Sequence, residues 1–207
     1  MSDMLRLYRA AFSTNVERVA LALAYKGLSA ESVWIEYGDR SAVERVSGQG
    51  LVPVLVDGHA VVHDSMEIIR YLDERHPDPP LYPRDPARRA ELLVFVDWFN
   101  RVWKRRPNEI AAELERPSAD AERIAGLSQE ITHALALFEE LLHDRDHLMG
   151  DFSAADCAVF PFVKYAAGRD KRDDELFHRV LDEHQQLGSG HPRLAAWIER
   201  VDARPRA

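Results

Sequence analysis

A serine before a predicted helix is the first residue whose position suggests chemistry. Ser13 follows a short apolar segment, residues 4–8, and precedes residues 14–26, whose apolar side chains recur at helical spacing. Ser13 could simply cap that helix. A thiolate held by its hydroxyl at this place would also have a lowered pKa, because the positive end of a helix dipole stabilises anions. Both interpretations can hold together.

A second pair of polar residues, Asp64 and Ser65, stands at the start of a predicted helix over residues 65–76. Ser65 is a natural cap for that helix, which is the simpler interpretation. Its hydroxyl and the helix N–H groups could also bind a carboxylate, while Asp64 could hold an ammonium group. A ligand that carries both groups is an amino acid or a γ-linked derivative of one.

Pro53 stands inside a predicted strand over residues 51–56. Proline removes a hydrogen bond from the strand ladder. Either the strand lies at an edge of the sheet, or the Val52–Pro53 bond is cis and turns the backbone towards a ligand. Only about one X–Pro bond in twenty is cis, so the local sequence favours the edge strand.

The elements that would position these residues alternate between strand and helix. Further strands are predicted over residues 31–36 and 60–62, the latter joined to residues 51–56 by an Asp57-Gly58 turn. The order β-α-β followed by β-β-α predicts a small mixed sheet with helices packed on it.

A cluster of five prolines in residues 77–86 separates this region from the rest of the chain. Proline fixes the backbone and lacks an N–H donor, so the cluster predicts a semi-rigid linker. Beyond it the apolar residues recur at helical spacing throughout. We therefore predict an α+β domain over residues 1–76, a linker over 77–86 and an all-α domain over 87–207.

Composition limits the partners of the chain. Its net charge of −8 disfavours nucleic acid and anionic membrane surfaces as partners, and no apolar run approaches the ~20 residues of a membrane helix. The first residues lack the apolar core of a signal peptide, so we expect a cytoplasmic protein.

The single cysteine, Cys157, excludes an internal disulfide. His143 and His147 are interpreted as part of a solvated turn, and no metal is expected.

The chain resembles the cytosolic glutathione transferase family, of the serine type, over nearly its whole length. The matching segments, among them LYRAAFSTNVERVALALAYKG and HDSMEIIRYLDERHP, are residues 7–27, 47–58, 63–77, 148–162 and 191–205. The resemblance implies a thioredoxin-like N-terminal domain, an all-helical C-terminal domain, a homodimer and a role in detoxification.

The resemblance also implies roles for individual residues. The residue that matches Ser13 hydrogen-bonds the thiol of glutathione and favours its ionised form. The proline that matches Pro53 is cis, which reverses the preference for an edge strand. The other implied contacts with glutathione are Val52, through its backbone, at the cysteinyl part, Asp64 and Ser65 at the γ-glutamyl end, and Gln49 nearby.

The implied activity is conjugation of glutathione, the co-substrate, to a small hydrophobic electrophile. The electrophile is expected to lie against an apolar wall, although each wall residue could equally belong to the core; the four candidates are Phe12, Trp98, Val102 and Tyr165.

Two other functions stay open. Asp64 is one methylene shorter than the usual Glu or Gln of the family, and Ser47-Gly48 replaces the usual Asn-Pro. These departures favour a non-catalytic protein that keeps the fold for binding. Glutathione-dependent isomerisation of a small unsaturated acid would use the same Ser13 chemistry, and the sequence does not separate it from conjugation.

Overall fold

The structure, a computed structural model, describes residues 4–207 and divides the chain into two compact units. The N-terminal unit runs to Pro83 and also includes Arg204–Ala207. The helical unit comprises Arg84–Ala203. The last residues are tied into the N-terminal unit by contacts with α1 (Thr14–Tyr25): the Ala207 N–H donates to the Ala20 carbonyl, and Arg206 pairs with Glu17.

A four-stranded mixed sheet forms the centre of the N-terminal unit. Its strands follow the order β2-β1-β3-β4, with β1 parallel to β2 and antiparallel to β3, and β3 antiparallel to β4. Their bounds are β1 Leu5–Arg9, β2 Ala30–Trp34, β3 Val54–Asp57 and β4 Ala60–His63. The predicted mixed sheet is confirmed.

Three helices accompany this sheet: α1, α2 (Ser41–Ser47) and α3 (Ser65–Arg75). Helix α1 packs against α3 and is buried along most of its length. A buried ion pair between Lys26 and Asp73, 2.8 Å apart, connects the residue after α1 to α3. The apolar spacing of the sequence predicts α1 and α3 but not α2, because seven residues with one buried apolar side chain leave almost no periodic pattern.

Six longer helices build the other unit, and the predicted all-helical character of this region is confirmed. They are α4 Pro86–Trp98, α5 Arg105–Leu114, α6 Ala121–Leu141, α7 Ala154–Val163, α8 Leu176–His184 and α9 Pro192–Asp202. A π-helical segment, Phe99–Trp103, joins α4 to α5, and a 3-10 segment, Lys164–Ala167, follows α7. Within residues 4–207, no helix is both long and apolar enough to cross a membrane.

Aromatic rings fill the core of the helical unit. Phe99 and Trp103 of the π-helical segment stack with ring centres 4.8 Å apart, and Phe138 of α6 meets both rings edge-on. Trp103 and Trp197 are fully buried. The fourth tryptophan of the chain, Trp34, lies on β2 of the N-terminal unit and is 62% exposed.

Candidate functional site

Three segments of the N-terminal unit meet at one end of its sheet. In the register of the strands, Val54 lies beside Tyr8 of β1 on one side and His63 of β4 on the other. The chain leaves β1 towards Ser13, enters β3 directly after Pro53 and leaves β4 into Asp64. Sheet pairing therefore gathers the predicted site residues of this unit, although they are far apart in the sequence.

Ser13 is the N-cap of α1, as its position predicted. Its Oγ accepts a hydrogen bond of 3.4 Å from the Val16 N–H, and the residue is half-buried. The residue before it, Phe12, has a left-handed backbone (φ 57°) and is 39% exposed. Non-glycine residues rarely adopt positive φ and do so often at functional sites. This turn places a hydroxyl at the positive end of the α1 dipole.

The Val52–Pro53 peptide bond is cis, as the family resemblance implied. The edge-strand interpretation of Pro53 is wrong: Pro53 precedes β3, which starts at Val54 and lies between β1 and β4. Ladder pairing of β3 also begins at Val54, so the backbone of Val52 stays outside the ladder.

The Gln49 side chain stabilises the loop between α2 and the cis Val52–Pro53 bond. Its side-chain amide donates to Ser47 Oγ at 3.1 Å and to the Leu51 carbonyl at 3.0 Å. Its side-chain oxygen accepts from the Leu51 N–H. The Gln49 side chain therefore closes its own loop, and the left-handed Gly48 (φ 74°) ends α2 just before it. A contact between Gln49 and a ligand remains a prediction.

The cap of α3 is Asp64 and not Ser65, which corrects the capping prediction. The Asp64 carboxylate accepts hydrogen bonds from the N–H groups of Met66 at 2.8 Å and Glu67 at 3.2 Å. Ser65 is the first helical residue and is buried. Aspartate is as good a cap as serine, and the Asp64 backbone has a positive φ of 68°.

Arg18 is the residue of this site that the sequence analysis missed. It is 2% exposed on α1, and its Nη1 donates to Ser65 Oγ at 3.3 Å. The only sequence signal is an arginine directly before the apolar run VALALA. A long charged side chain in such a helix usually lies at the surface, so the pattern alone did not single it out.

Two predicted wall residues line neighbouring grooves of the helical unit. Trp98 borders a groove of about 920 Å³ whose opposite wall is α6, with His133 and Leu137. Val102, which is 38% exposed, borders a smaller groove of about 260 Å³. Both grooves share Arg106, whose Nε donates to Glu130 of α6 at 2.7 Å.

Tyr165, the fourth predicted wall residue, lies inside the helical unit. It is 3% exposed, its hydroxyl donates to Asp173 at 2.8 Å, and its ring stacks on that of His178 with centres 4.9 Å apart. The same Asp173 carboxylate meets His178 Nδ1 at 2.9 Å. These contacts leave little of the Tyr165 surface for a ligand.

Family models match most of the chain. Residues 7–80 match the glutathione S-transferase N-terminal domain, and residues 121–200 match the glutathione S-transferase C-terminal domain. The chain belongs to the glutathione S-transferase family. The transferase is 42% identical to glutathione S-transferase Z2 of Arabidopsis thaliana over 97% of its length and 87% of that relative. It is 33% identical to glutathione S-transferase Z1 of the same plant, over 81% and 79% of the two chains.

Solved structures agree on the fold of this transferase. A tau-class glutathione S-transferase from mango, Mangifera indica, superimposes with a TM-score of 0.80 at 20% identity, over 99% of this chain and 91% of the other. The thioredoxin-like N-terminal domain and the all-helical C-terminal domain expected from the sequence are thereby confirmed. The transferase is a member of an enzyme family.

Proposed function

We propose that this transferase joins the thiol of glutathione to a hydrophobic electrophile and that Ser13 keeps the thiol ionised. The observation that carries the proposal is the setting of Ser13 Oγ, half-buried at the N-terminus of α1 with one hydrogen bond of 3.4 Å from Val16. A hydroxyl has one proton to donate and two lone pairs that accept. Ser13 can therefore cap the helix and donate to a sulfur anion at the same time.

The proposed reaction is a nucleophilic substitution or addition by sulfur. The thiol releases its proton to water, and a sulfur lone pair forms the bond to the electrophilic carbon. With an aryl chloride, chloride leaves with the electron pair of the broken bond, and the product is a thioether. The protein contributes orientation and a lowered thiol pKa, and no atom of the protein becomes covalently bound.

We propose that glutathione lies across the end of the sheet where Ser13, Pro53 and Asp64 meet. The Val52 backbone would pair with the cysteinyl part, because it lies outside the strand ladder. Asp64 and Ser65 would hold the γ-glutamyl ammonium and carboxylate groups. Gln49 would act by shaping the loop before Pro53, since its side chain is bonded within that loop.

For the electrophile, we propose contact with Phe12, Trp98 and Val102, the more exposed of the four predicted wall residues. Tyr165, which is buried, would contribute to packing within the helical unit. We also propose a homodimer that works in the cytoplasm, because both are typical of the family to which the chain belongs.

The decisive experiment replaces Ser13 with alanine. We expect the pKa of bound glutathione to rise and the rate of conjugation to a chlorinated nitrobenzene to fall roughly tenfold at neutral pH, since one pKa unit changes the thiolate fraction about tenfold. The pH–rate profile should move to higher pH for the same reason. Thiolate absorbance and steady-state rates, both followed against pH, measure the two effects.

Thr14→Val is the matched control, because it removes the adjacent hydroxyl while keeping the side-chain shape. We expect its rate and thiol pKa to match those of the unmodified protein. An unchanged thiol pKa in Ser13→Ala would show that Ser13 is not the activating group. No calorimetric binding of millimolar glutathione by the unmodified protein would favour the non-catalytic alternative.

A further inference from the structure

The N-terminal unit contains a buried cation that the proposed chemistry does not use directly. Arg18 lies on α1 among Val16, Val19 and Ala20, all buried, and is itself 2% exposed. Removing a guanidinium from water is costly unless hydrogen bonds and charges compensate. The groups that Arg18 meets therefore indicate what its charge does.

One of those groups is the hydroxyl of Ser65. Arg18 Nη1 donates to Ser65 Oγ at 3.3 Å, and both residues are buried. An arginine donates and never accepts, so the proton of the Ser65 hydroxyl must point away from Arg18. The contact thus excludes donation towards Arg18 and leaves this hydroxyl to donate to another acceptor.

The start of α3 is prepared for an anion in a second way. Asp64 already accepts from the N–H groups of Met66 and Glu67, which leaves the N–H and the hydroxyl of the buried Ser65 as donors at this helix end. A positive charge held behind that hydroxyl strengthens its hydrogen bond to a carboxylate, because charge-assisted bonds are stronger than neutral ones. Arg18 and Ser65 together suit a carboxylate ligand.

We propose that Arg18 is a positioning residue of the glutathione site and acts through Ser65. Its guanidinium orients the Ser65 hydroxyl and polarises it towards the α-carboxylate of the γ-glutamyl group. This inference rests on the proposed function, since it requires glutathione as the ligand. It assigns Arg18 to recognition of one carboxylate and not to the chemistry at sulfur.

The test compares two ligands on the full chain by calorimetry. One is glutathione, and the other is an analogue in which hydrogen replaces the α-carboxylate of the γ-glutamyl group. We expect Arg18→Met to weaken glutathione binding roughly tenfold, the size expected for a hydrogen bond to a charged group. Binding of the analogue should not change, because it lacks the carboxylate. A purely structural role for Arg18 would weaken both ligands alike.

Three further variants sharpen this comparison. The preference is the affinity for glutathione divided by the affinity for the analogue. Ser65→Ala should lower this preference as Arg18→Met does. The double variant should show no further loss, because both residues act in one contact. Arg70→Met is the matched control, since Arg70 lies on α3 but is exposed and pairs with Glu67 and Glu74. It should leave the preference unchanged.

Arg18→Lys keeps the charge and loses the guanidinium geometry, so the preference should fall several-fold less than in Arg18→Met. If Arg18→Met does not fold, Arg18→Lys decides the question by the same criterion, with some loss of preference expected. Three results would overturn the inference and leave the proposed function standing. They are equal weakening of the binding of both ligands, unchanged binding of both ligands, and additive losses of preference when Arg18→Met is combined with Ser65→Ala. Failure of the unmodified protein to bind glutathione would overturn both.

Discussion

Ser13 and Ser153 both cap the N-terminus of a helix, but the protein surrounds the two hydroxyls differently. Ser13 is half-buried and accepts one hydrogen bond, from Val16 at 3.4 Å. Ser153 is 4% exposed at the start of α7; its Oγ accepts from Ala155 at 3.3 Å and donates to Asp156 at 3.1 Å. The donor proton of Ser153 is therefore already used inside the protein.

Asp156 completes the difference between the two caps. Its fully buried carboxylate also accepts from the N–H of Leu148 at 3.1 Å, the N–H of Ser153 at 3.0 Å and the indole of Trp197 at 2.9 Å. Ser153 and Asp156 form a capping box, and Asp156 ties α7 to the loop before it and to α9. A capping hydroxyl that both accepts and donates hydrogen bonds within the protein, as Ser153 does, stabilises the fold. A capping hydroxyl that only accepts one, as Ser13 does, can still donate its proton to a ligand.

The largest effect, on the free energy of unfolding, is expected at the capping box of Ser153 and Asp156. Asp156→Ala leaves the Leu148 N–H and the Trp197 indole buried without an acceptor, so we expect a loss of about 3–5 kcal/mol in the free energy of unfolding, or failure to fold. Urea denaturation measures it. Asp151→Ala, which changes an exposed acid in the same loop, should cost far less. A loss below about 1 kcal/mol for Asp156→Ala would contradict this account of α7.

Next in size is the effect of an acidic cap at the other helix. Ser13→Asp should keep the stability of α1, because aspartate and serine are equally good caps. Its negative charge would repel a thiolate, so we expect conjugation to slow roughly a hundredfold, the scale seen when an oxyanion donor is lost. Thermal melts and initial rates measure the two quantities. An unchanged conjugation rate in Ser13→Asp would contradict the proposed difference between the caps Ser13 and Ser153.

A smaller effect is expected for Ser153→Ala. Loss of a buried cap should lower the free energy of unfolding by about 1–2 kcal/mol. The conjugation rate per folded molecule should stay unchanged, because Ser153 lies in the helical unit and its donor serves Asp156. The measurement pairs urea denaturation with the rate corrected for the folded fraction. Ser13→Ala should also lose the stability of a cap, but it should in addition lower the conjugation rate per folded molecule. The same rate per folded molecule in the two variants would contradict the comparison.

The smallest effect concerns amide hydrogen exchange at the two helix starts. The Val16 N–H, bonded at 3.4 Å to a half-buried hydroxyl, should exchange faster than the Ala155 N–H next to the buried Ser153. Saturating glutathione should slow exchange at Val16 and leave Ala155 unchanged. NMR exchange rates with and without glutathione test this, and equal slowing at both amides would indicate a global effect of the ligand.

Much of the fold was predictable because its elements carry strong local signals. The Asp57-Gly58 turn identified the β3–β4 hairpin, and the apolar spacing identified α1, α3 and the helical character of the second unit, but not α5 as a separate helix. The bounds are harder to predict: the sequence predicts a strand over residues 51–56, but β3 starts only after Pro53. The inclusion of Arg204–Ala207 in the N-terminal unit depends on tertiary contacts that leave no periodic pattern.

The site was predictable only where a residue type has few alternatives. Ser13 as a cap and the cis bond at Pro53 were expected, the second from the family resemblance. Asp64 and Ser65 are adjacent capping residues, and only the backbone turn at Asp64 decides which one caps α3. The role of Arg18 depends on a contact between α1 and α3, which spacing within one helix does not reveal.

The distribution of the tryptophans determines what an optical experiment on this protein can detect. Three of the four, including the two fully buried ones, belong to the helical unit, while Trp34 of the N-terminal unit is 62% exposed. Intrinsic fluorescence during denaturation therefore follows mainly the helical unit. Local unfolding around Ser13 would leave the tryptophan emission nearly unchanged. It therefore has to be followed by NMR, through the resonances of the sheet residues.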